Sequence, residues 1–332
     1  MVKAIRFHET GEPEVLQYEE LPLAAPGEKE VAVRIDAIGL NRAEAGFRRG
    51  KYVEQPKLPA RIGYEAAGEV LAIGSGVEGL AVGDSVSVLP AFSMNSYGVY
   101  AEQAIVPASA ILKRPDGMTA LDGASLWMPY LTAWGALYDI TGIGEGDAVI
   151  INAASSSVGL AAISLCNRVG ATAIAVTRGA DKREALLQHG ADAVVVSNEE
   201  DIAEAVKSIT DGKGARLAFD PVAGDGVLKL AEALGPQGQI IIYGNLSGNA
   251  HNTPFPYGQG MAKGLSVRAY LVFELIRDEA RRDRAIAGIL EGYADGSIRP
   301  VTDKVFDFDE MVEAHRYLEG STQFGKVMVK VG

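Results

Sequence analysis

The stretch INAASSSVGLAAI, residues 151–163, decides how this sequence is read. It enters as an apolar strand and leaves as a helix. Between the two stand Ser155, Ser156 and Ser157, where a phosphate-binding turn would carry glycines. A helix N-terminus offers free N–H groups and a positive dipole end, both suited to a pyrophosphate. Serine is the next smallest polar residue, and its hydroxyl can donate to a phosphate oxygen or cap the helix. Both readings stand at this point. With the strand over 148–154 and the helix opening near Ser157, the anion-facing end comprises Ser156, Ser157 and Val158. Gly159, in the first turn, lets helix and strand pack closely.

On the C-terminal side the same grammar repeats. ATAIAVT, DAVVVS, ARLAFDPV and GQIIIYG are short, nearly continuous apolar runs. Helical patterns separate them at 158–169, 182–189, 201–210 and 227–234. Strands buried on both faces and joined by helices form a parallel sheet of βαβ units. On the N-terminal side EVAVRIDAIGLN alternates apolar and polar residues, and AAGEVLAIGSGVEGLAVGDSVSVL breaks apolar runs at Gly-Ser, Glu-Gly and Gly-Asp turns. The tail carries a charged helix over about 273–294, a second over about 309–318, and a final strand, GKVMVKV. The sequence therefore predicts an α/β chain in two parts. A β-rich domain spans residues 1–125 and 272–332, and a doubly wound parallel-sheet domain spans 126–271.

Composition narrows the function. A chain of 332 residues supports two domains with sizeable cores. The formal net charge of −12 argues against nucleic acid, which is bound through basic surfaces. Cys166 is the only cysteine, so neither a disulfide framework nor a cysteine-based zinc cluster can be built. The start MVKA runs directly into a strand pattern without an apolar leader, and no run of roughly 18 apolar residues occurs. The expectation is a cytoplasmic protein with no membrane partner.

The second strand of the α/β part bears on cofactor choice. An NAD site ends that strand in an acidic residue, about 20 residues after the phosphate turn, to hold the ribose hydroxyls. Here the strand ends in Thr177 and Arg178, with Lys182 and Arg183 following. A hydroxyl, a guanidinium and an ammonium suit a 2′-phosphate. This predicts NADPH, with Thr177, Arg178 and Lys182 in contact and Arg183 as a solvated helix residue.

The motifs GLNRAEAGFRRGKY, LPARIGYEAAGEV, GSGVEGLAVGDSV, YAEQAIVP, NAASSSVGLAAI, IIIYGNLSG and FGKVMV occur in this order along nearly the whole chain. In them the sequence resembles the zinc-independent quinone oxidoreductases of the medium-chain dehydrogenase/reductase superfamily. The resemblance implies a GroES-like catalytic domain built from both chain ends, a Rossmann domain between them, and a cofactor cleft at their junction. Family members usually show two glycines where Ser156 and Ser157 stand. The resemblance maps Asn41 and Tyr52 onto active-site positions that orient substrate or nicotinamide. It puts Tyr64 at the vacated metal-ligand position, and Tyr64 and Tyr130 are candidate donors or cleft walls. Glu65 is assigned to the domain junction. Thr132 would meet the nicotinamide amide, Gly244, Asn245 and Ser247 the switch-point rim, and Lys326 the cofactor. No metal is expected, because the position of the usual catalytic cysteine has none and His8, His189, His251 and His315 lack ligand spacing.

The expected reaction is hydride transfer from NADPH to a quinone or to an α,β-unsaturated carbonyl. Two alternatives are an alcohol dehydrogenase acting on simple alcohols, and a nucleotide-binding structural or regulatory protein with little turnover. The apolar segment 264–273 reads as an edge strand, which predicts a homodimer or an assembly of dimers.

Overall fold

The structure, a computed structural model, describes residues 1–22 and 24–332. The chain forms two compact units, Met1–Met128 with Pro300–Gly332, and Pro129–Arg299.

In the first unit a seven-stranded sheet is organised around the ten-residue strand Glu30–Gly39. One edge of this strand pairs antiparallel with Glu65–Ile73. Its other edge is divided between two partners. Gln103–Pro107 takes residues 30–34, and Lys326–Lys330 takes residues 37–39. Alternation of Val31, Val33 and Ile35 with Arg34 and Asp36 is what a sheet with one buried face requires. The shared edge brings Lys326 beside Gly39, and the approach is too close for any other residue. A Cβ on Gly39 would stand 1.9 Å from the Ala124 carbonyl oxygen and 2.8 Å from Lys326 Cε. A smaller sheet pairs Val2–Phe7 with Gln17–Leu21 and with Ala60–Arg61.

The second unit holds a six-stranded sheet, parallel throughout. Across it the strands run Ala193–Val196, Thr172–Thr177, Ala148–Ile151, Ala215–Asp220, Leu234–Ile242 and Ser266–Ala269. This is the 3-2-1-4-5-6 order of a doubly wound fold, whose strand order reverses between Ala148–Ile151 and Ala215–Asp220. Ile150, Ile174, Val176, Val195, Val206, Val227, Leu230 and Ile240 fill one core between sheet and helices. The predicted helices appear as Ser157–Arg168, Arg183–Gln188, Ile202–Ile209 and Gly226–Ala233. A Cβ on Gly159 would lie 2.5 Å from the Ala154 carbonyl oxygen, so the helix–strand turn closes only around glycine.

The units divide at 128/129 and 299/300, not at the 125/126 and 271/272 boundaries read from the sequence. The charged segment packs into the second unit. It is two helices, Phe273–Ile276 and Glu279–Asp295, broken where Asp278 caps the Arg281 N–H. Gly288 sits against the Trp134 ring with no room for a Cβ, Arg168 pairs with Asp295 at 3.0 Å, and Arg281 pairs with Asp139. No helix among the described residues is long and apolar enough to cross a membrane.

Candidate active site

In the first unit a chain of buried polar groups starts at Asn41, the residue before helix Arg42–Arg48. Asn41 Nδ2 donates to the Gly39 carbonyl at 3.1 Å and to Glu44 Oε1 at 3.2 Å, while Oδ1 accepts from Lys326 Nζ at 2.5 Å. Lys326 Nζ also donates to Glu65 Oε2 at 2.6 Å. Glu65 Oε1 accepts from the backbone N–H groups of Trp127 and Met128, at 2.7 and 3.0 Å. Glu65 therefore holds the backbone at Trp127–Met128, within the first unit. Lys326 and Glu65 are 1% and 0% exposed, so their charges neutralise each other away from water.

Lys326, which the resemblance puts at the cofactor, is buried in the first unit and gives two of its three N–H groups to Asn41 and Glu65. Asn41 is similarly committed, with both amide hydrogens and one lone pair engaged.

Glu44 has no cation of its own. Oε1 accepts from Asn41 and from the Tyr64 N–H at 3.1 Å, whereas Oε2 is buried without a hydrogen-bond partner among the described residues. Burial pushes its carboxyl up to about 7, with the Lys326 charge opposing the rise. The shift has a stability consequence. A carboxyl whose folded pKa lies above its unfolded value favours the fold below about pH 4.5 and loses that contribution as pH rises through about 7. The loss amounts to roughly 3 kcal/mol. Glu44→Gln is therefore expected to gain on the wild-type urea midpoint at pH 8 and to show no such gain at pH 5. An equal difference at both pH values would contradict the assignment.

Tyr64 is fully buried and shares a hydrogen bond with the half-buried Tyr52; their ring centroids are 6.4 Å apart. Burial raises both phenols well above their usual value, so both stay protonated near neutrality. Phe92 lies 5.8 Å beyond Tyr64, and Tyr97 5.8 Å beyond Phe92. Tyr52 is the member of this pair with accessible surface, so a proton or hydrogen bond offered outward comes from Tyr52, backed by Tyr64.

In the second unit Asn152–Ser156 forms the turn at the strand-order reversal. Asn152 N–H donates to the Phe219 carbonyl at 3.0 Å, and Nδ2 donates to Asp220 Oδ1 at 2.8 Å. Asp220, buried, also accepts from the Val222 and Ala223 N–H groups and so shapes the neighbouring turn. Ser156 is the N-cap of helix Ser157–Arg168, its Oγ accepting from Gly159 N–H at 3.1 Å. The cap uses a lone pair, and the same hydroxyl lies within hydrogen-bonding reach of the Tyr243 phenol. Lys182 Nζ donates to Ser155 Oγ at 3.2 Å, which sets an ammonium at the serine turn.

The other predicted residues fall as follows. Thr177 ends its strand, buried, and Arg178 is exposed, with no ion pair among the described residues. Arg183 is not merely solvated; it donates to the Val194 carbonyl at 2.9 Å and pairs with Glu200. Thr132 is buried in helix Trp127–Trp134. A Cβ on Gly244 would come within 2.7 Å of the Pro221 carbonyl oxygen. Asn245 Oδ1 and Ser247 Oγ accept from Ala250 and Asn249 N–H groups, folding their own loop. The Tyr130 hydroxyl donates to the Arg299 carbonyl at 3.1 Å beside Ser164, and burial pushes its pKa up to about 12. Of the two roles expected for Tyr130, donor or cleft wall, the donor role would compete with this bond to the Arg299 carbonyl. Glu44 and Asp220 were not singled out from sequence; the carboxylate in LAFDPV, at the tip of an apolar strand, was the available signal for the second.

Among the described residues no three His, Cys, Asp or Glu side chains come together as metal ligands. Cys166 is buried, and burial raises its thiol well above the ordinary value. The donors present do not fit zinc.

Two family models match the chain. An alcohol dehydrogenase GroES-like domain covers residues 27–116, and a domain described as zinc-binding dehydrogenase covers residues 157–287. The chain is 31% identical over 330 residues to a quinone oxidoreductase of Pseudomonas aeruginosa, covering 99% of each. It is 30% identical over 322 residues to the synaptic vesicle membrane protein VAT-1 homolog of Rattus norvegicus, covering 93% of this chain and 78% of that one. Among solved structures, the quinone oxidoreductase of Escherichia coli complexed with NADPH superposes with a TM-score of 0.91 at 29% identity, covering 99% of both chains. Fold, domain matches and full-length relatives agree: this chain belongs to the zinc-independent quinone oxidoreductase type of the medium-chain dehydrogenase/reductase superfamily.

Proposed function

We propose that this chain is an NADPH-dependent, metal-free oxidoreductase that transfers hydride to a quinone or to the β-carbon of an α,β-unsaturated carbonyl. The observation that carries the reading is the Lys182 ammonium on Ser155, beside a serine-capped helix end and an exposed Arg178, with no carboxylate at the tip of strand Thr172–Thr177. The cofactor named for the Escherichia coli relative is consistent with it.

The residues present fit such a cofactor. The N–H groups at Ser156–Val158 would hold the pyrophosphate, with the helix dipole adding to their attraction. Lys182 and Arg178 would hold a 2′-phosphate by charge-assisted hydrogen bonds. When bound, the reduced nicotinamide supplies the hydride. The chain must then stabilise negative charge growing on a carbonyl oxygen. Tyr52, neutral and half-buried, supplies a hydrogen bond for that purpose, with Tyr64 fixing its hydroxyl. The Lys326–Asn41–Glu65 network keeps the backbone from Gly39 to Tyr64 in place. Water can complete the protonation of a reduced quinone, which needs no dedicated acid.

Arg178→Ala tests the reading. One charge-assisted hydrogen bond is worth about 1.5–3 kcal/mol. NADPH binding should weaken roughly 10- to 150-fold, and NADH binding should hardly change. Equal losses for both cofactors in a titration would reassign Arg178 to a part that they share.

The reading extends to assembly and setting. Strand Ser266–Ala269 is the edge of its sheet and largely exposed, and the preceding segment exposes Phe255, Tyr257 and Met261. A two-fold axis pairing two such edges would satisfy their free backbone groups, giving a homodimer or an assembly of dimers. Light scattering at micromolar concentration should return at least two chains; a single chain would refute the pairing. The need for a pool of reduced dinucleotide agrees with a cytoplasmic setting.

A further inference from the structure

Residues 51–58 and 89–98 carry no helix or strand, so their backbones lack the ladder bonds that hold the sheets. They are joined to one another by side chains, and Asn95 is the centre. Asn95 Nδ2 donates to Glu54 Oε1 at 2.9 Å and to the Gln55 carbonyl at 2.8 Å, and Oδ1 accepts from Lys57 N–H at 2.7 Å. Ser93 Oγ donates to the same Glu54 oxygen and accepts from Asn95 N–H at 3.1 Å. Gln55 Nε2 then reaches back to the Tyr52 carbonyl at 3.1 Å. On the other segment Phe92 packs on Tyr64, and Tyr97 packs on Phe92 while its hydroxyl donates to Glu30 at 2.8 Å.

Every bond of this clasp bears on the placement of one ring. The backbone of Tyr52 is held from Gln55, Gln55 from Asn95, and Asn95 stands three residues from Phe92, which braces Tyr64. The rings of Tyr52, Tyr64 and Phe92 form a continuous aromatic cluster in the first unit, and of the three only Tyr52 is not buried. We propose that Asn95 is a positioning residue: by clasping residues 52–57 to residues 92–97 it holds Tyr52 against Tyr64 and fixes where the Tyr52 hydroxyl meets a small quinone or enone. Glu54 is its anchor, acting as an acceptor. The inference rests on the function proposed above for its catalytic consequence, and on the hydrogen bonds alone for its structural one.

The test uses the full chain with Asn95→Ala, Glu54→Ala and Glu54→Gln. The glutamine keeps the accepting Oε1, so it separates the hydrogen bonds from the charge. A displacement of about 1 Å at a positioning group costs on the order of 100-fold. Asn95→Ala and Glu54→Ala are expected to lower kcat for benzoquinone about 10- to 100-fold, because the displaced Tyr52 hydroxyl no longer meets the growing charge, with KM within about threefold of wild type. Glu54→Gln should behave as wild type. Independently of turnover, the Lys57 amide should exchange its hydrogen faster in Asn95→Ala, with strand Glu65–Ile73 unchanged. Unchanged exchange at Lys57, or faster exchange with an unchanged kcat, would overturn the proposal. A wild-type chain that turns over no substrate would overturn the function instead, and exchange at Lys57 would still decide whether Asn95 holds the loop.

Discussion

Ser156→Asp is expected to leave the chain folded and to remove its affinity for NADPH and NADH alike. Aspartate is as good an N-cap as serine, and its carboxylate favours the positive end of helix Ser157–Arg168. The urea midpoint should therefore hold or rise slightly. Binding should respond oppositely. A carboxylate about 4 Å from a pyrophosphate charge costs roughly 1–4 kcal/mol in partly screened surroundings. That weakens both cofactors by about 5- to 900-fold. The variant separates the two readings of the serine run. If the run were only a cap, aspartate would serve as well and the titration would match wild type.

Lys326→Met is expected to cost about 3–5 kcal/mol of stability, the range for removing one partner of a buried ion pair. Two groups lose a hydrogen-bond partner at once, and a third loses a favourable nearby charge. Glu65 Oε2 keeps no donor in the network, Asn41 Oδ1 loses its own, and Glu44 loses the cation that opposes its desolvation. Against a total of roughly 5–15 kcal/mol the change is large. Glu65→Gln added to Lys326→Met should recover part of the loss, because it removes the stranded charge. Urea unfolding of the two variants measures this. A single variant within about 1 kcal/mol of wild type would mean that water reaches Glu65 once the lysine is gone.

These two sites show how far the sequence could be read. Apolar runs such as AVII and LAFD announced the parallel sheet, because strands covered on both faces leave no alternative to continuous hydrophobicity. Gly159 announced the tight turn, since only a residue without a Cβ fits there. Lys182 announced a cation at the serine turn, because one βα step separates them. Lys326 was legible as a special lysine and illegible as to its partners. Its burial depends on Gly39 and Ala124, distant in sequence and brought together by a strand edge shared between two partners. The partner of Tyr130 was illegible for a related reason: its acceptor is a backbone carbonyl, Arg299, which no motif marks. The 271/272 boundary was misplaced because a charged helix looks alike whichever unit its small residues face. Gly288 against Trp134 decides it. The clasp of Glu54, Ser93 and Asn95 was invisible, as it joins two irregular segments about forty residues apart through side chains alone.

The central claim is that a helix end capped by serine, with cations one strand away, serves a reductase working on conjugated carbonyls. Oxidation of NADPH by the purified chain, followed across a panel of quinones, enals and enones and repeated with NADH, tests it most directly. The account predicts turnover of at least one quinone or enone with NADPH, a lower kcat/KM with NADH, and rates unchanged after dialysis against a chelator. Tight NADPH binding with no oxidation across the panel, or turnover of simple alcohols that disappears with the chelated metal, would contradict it.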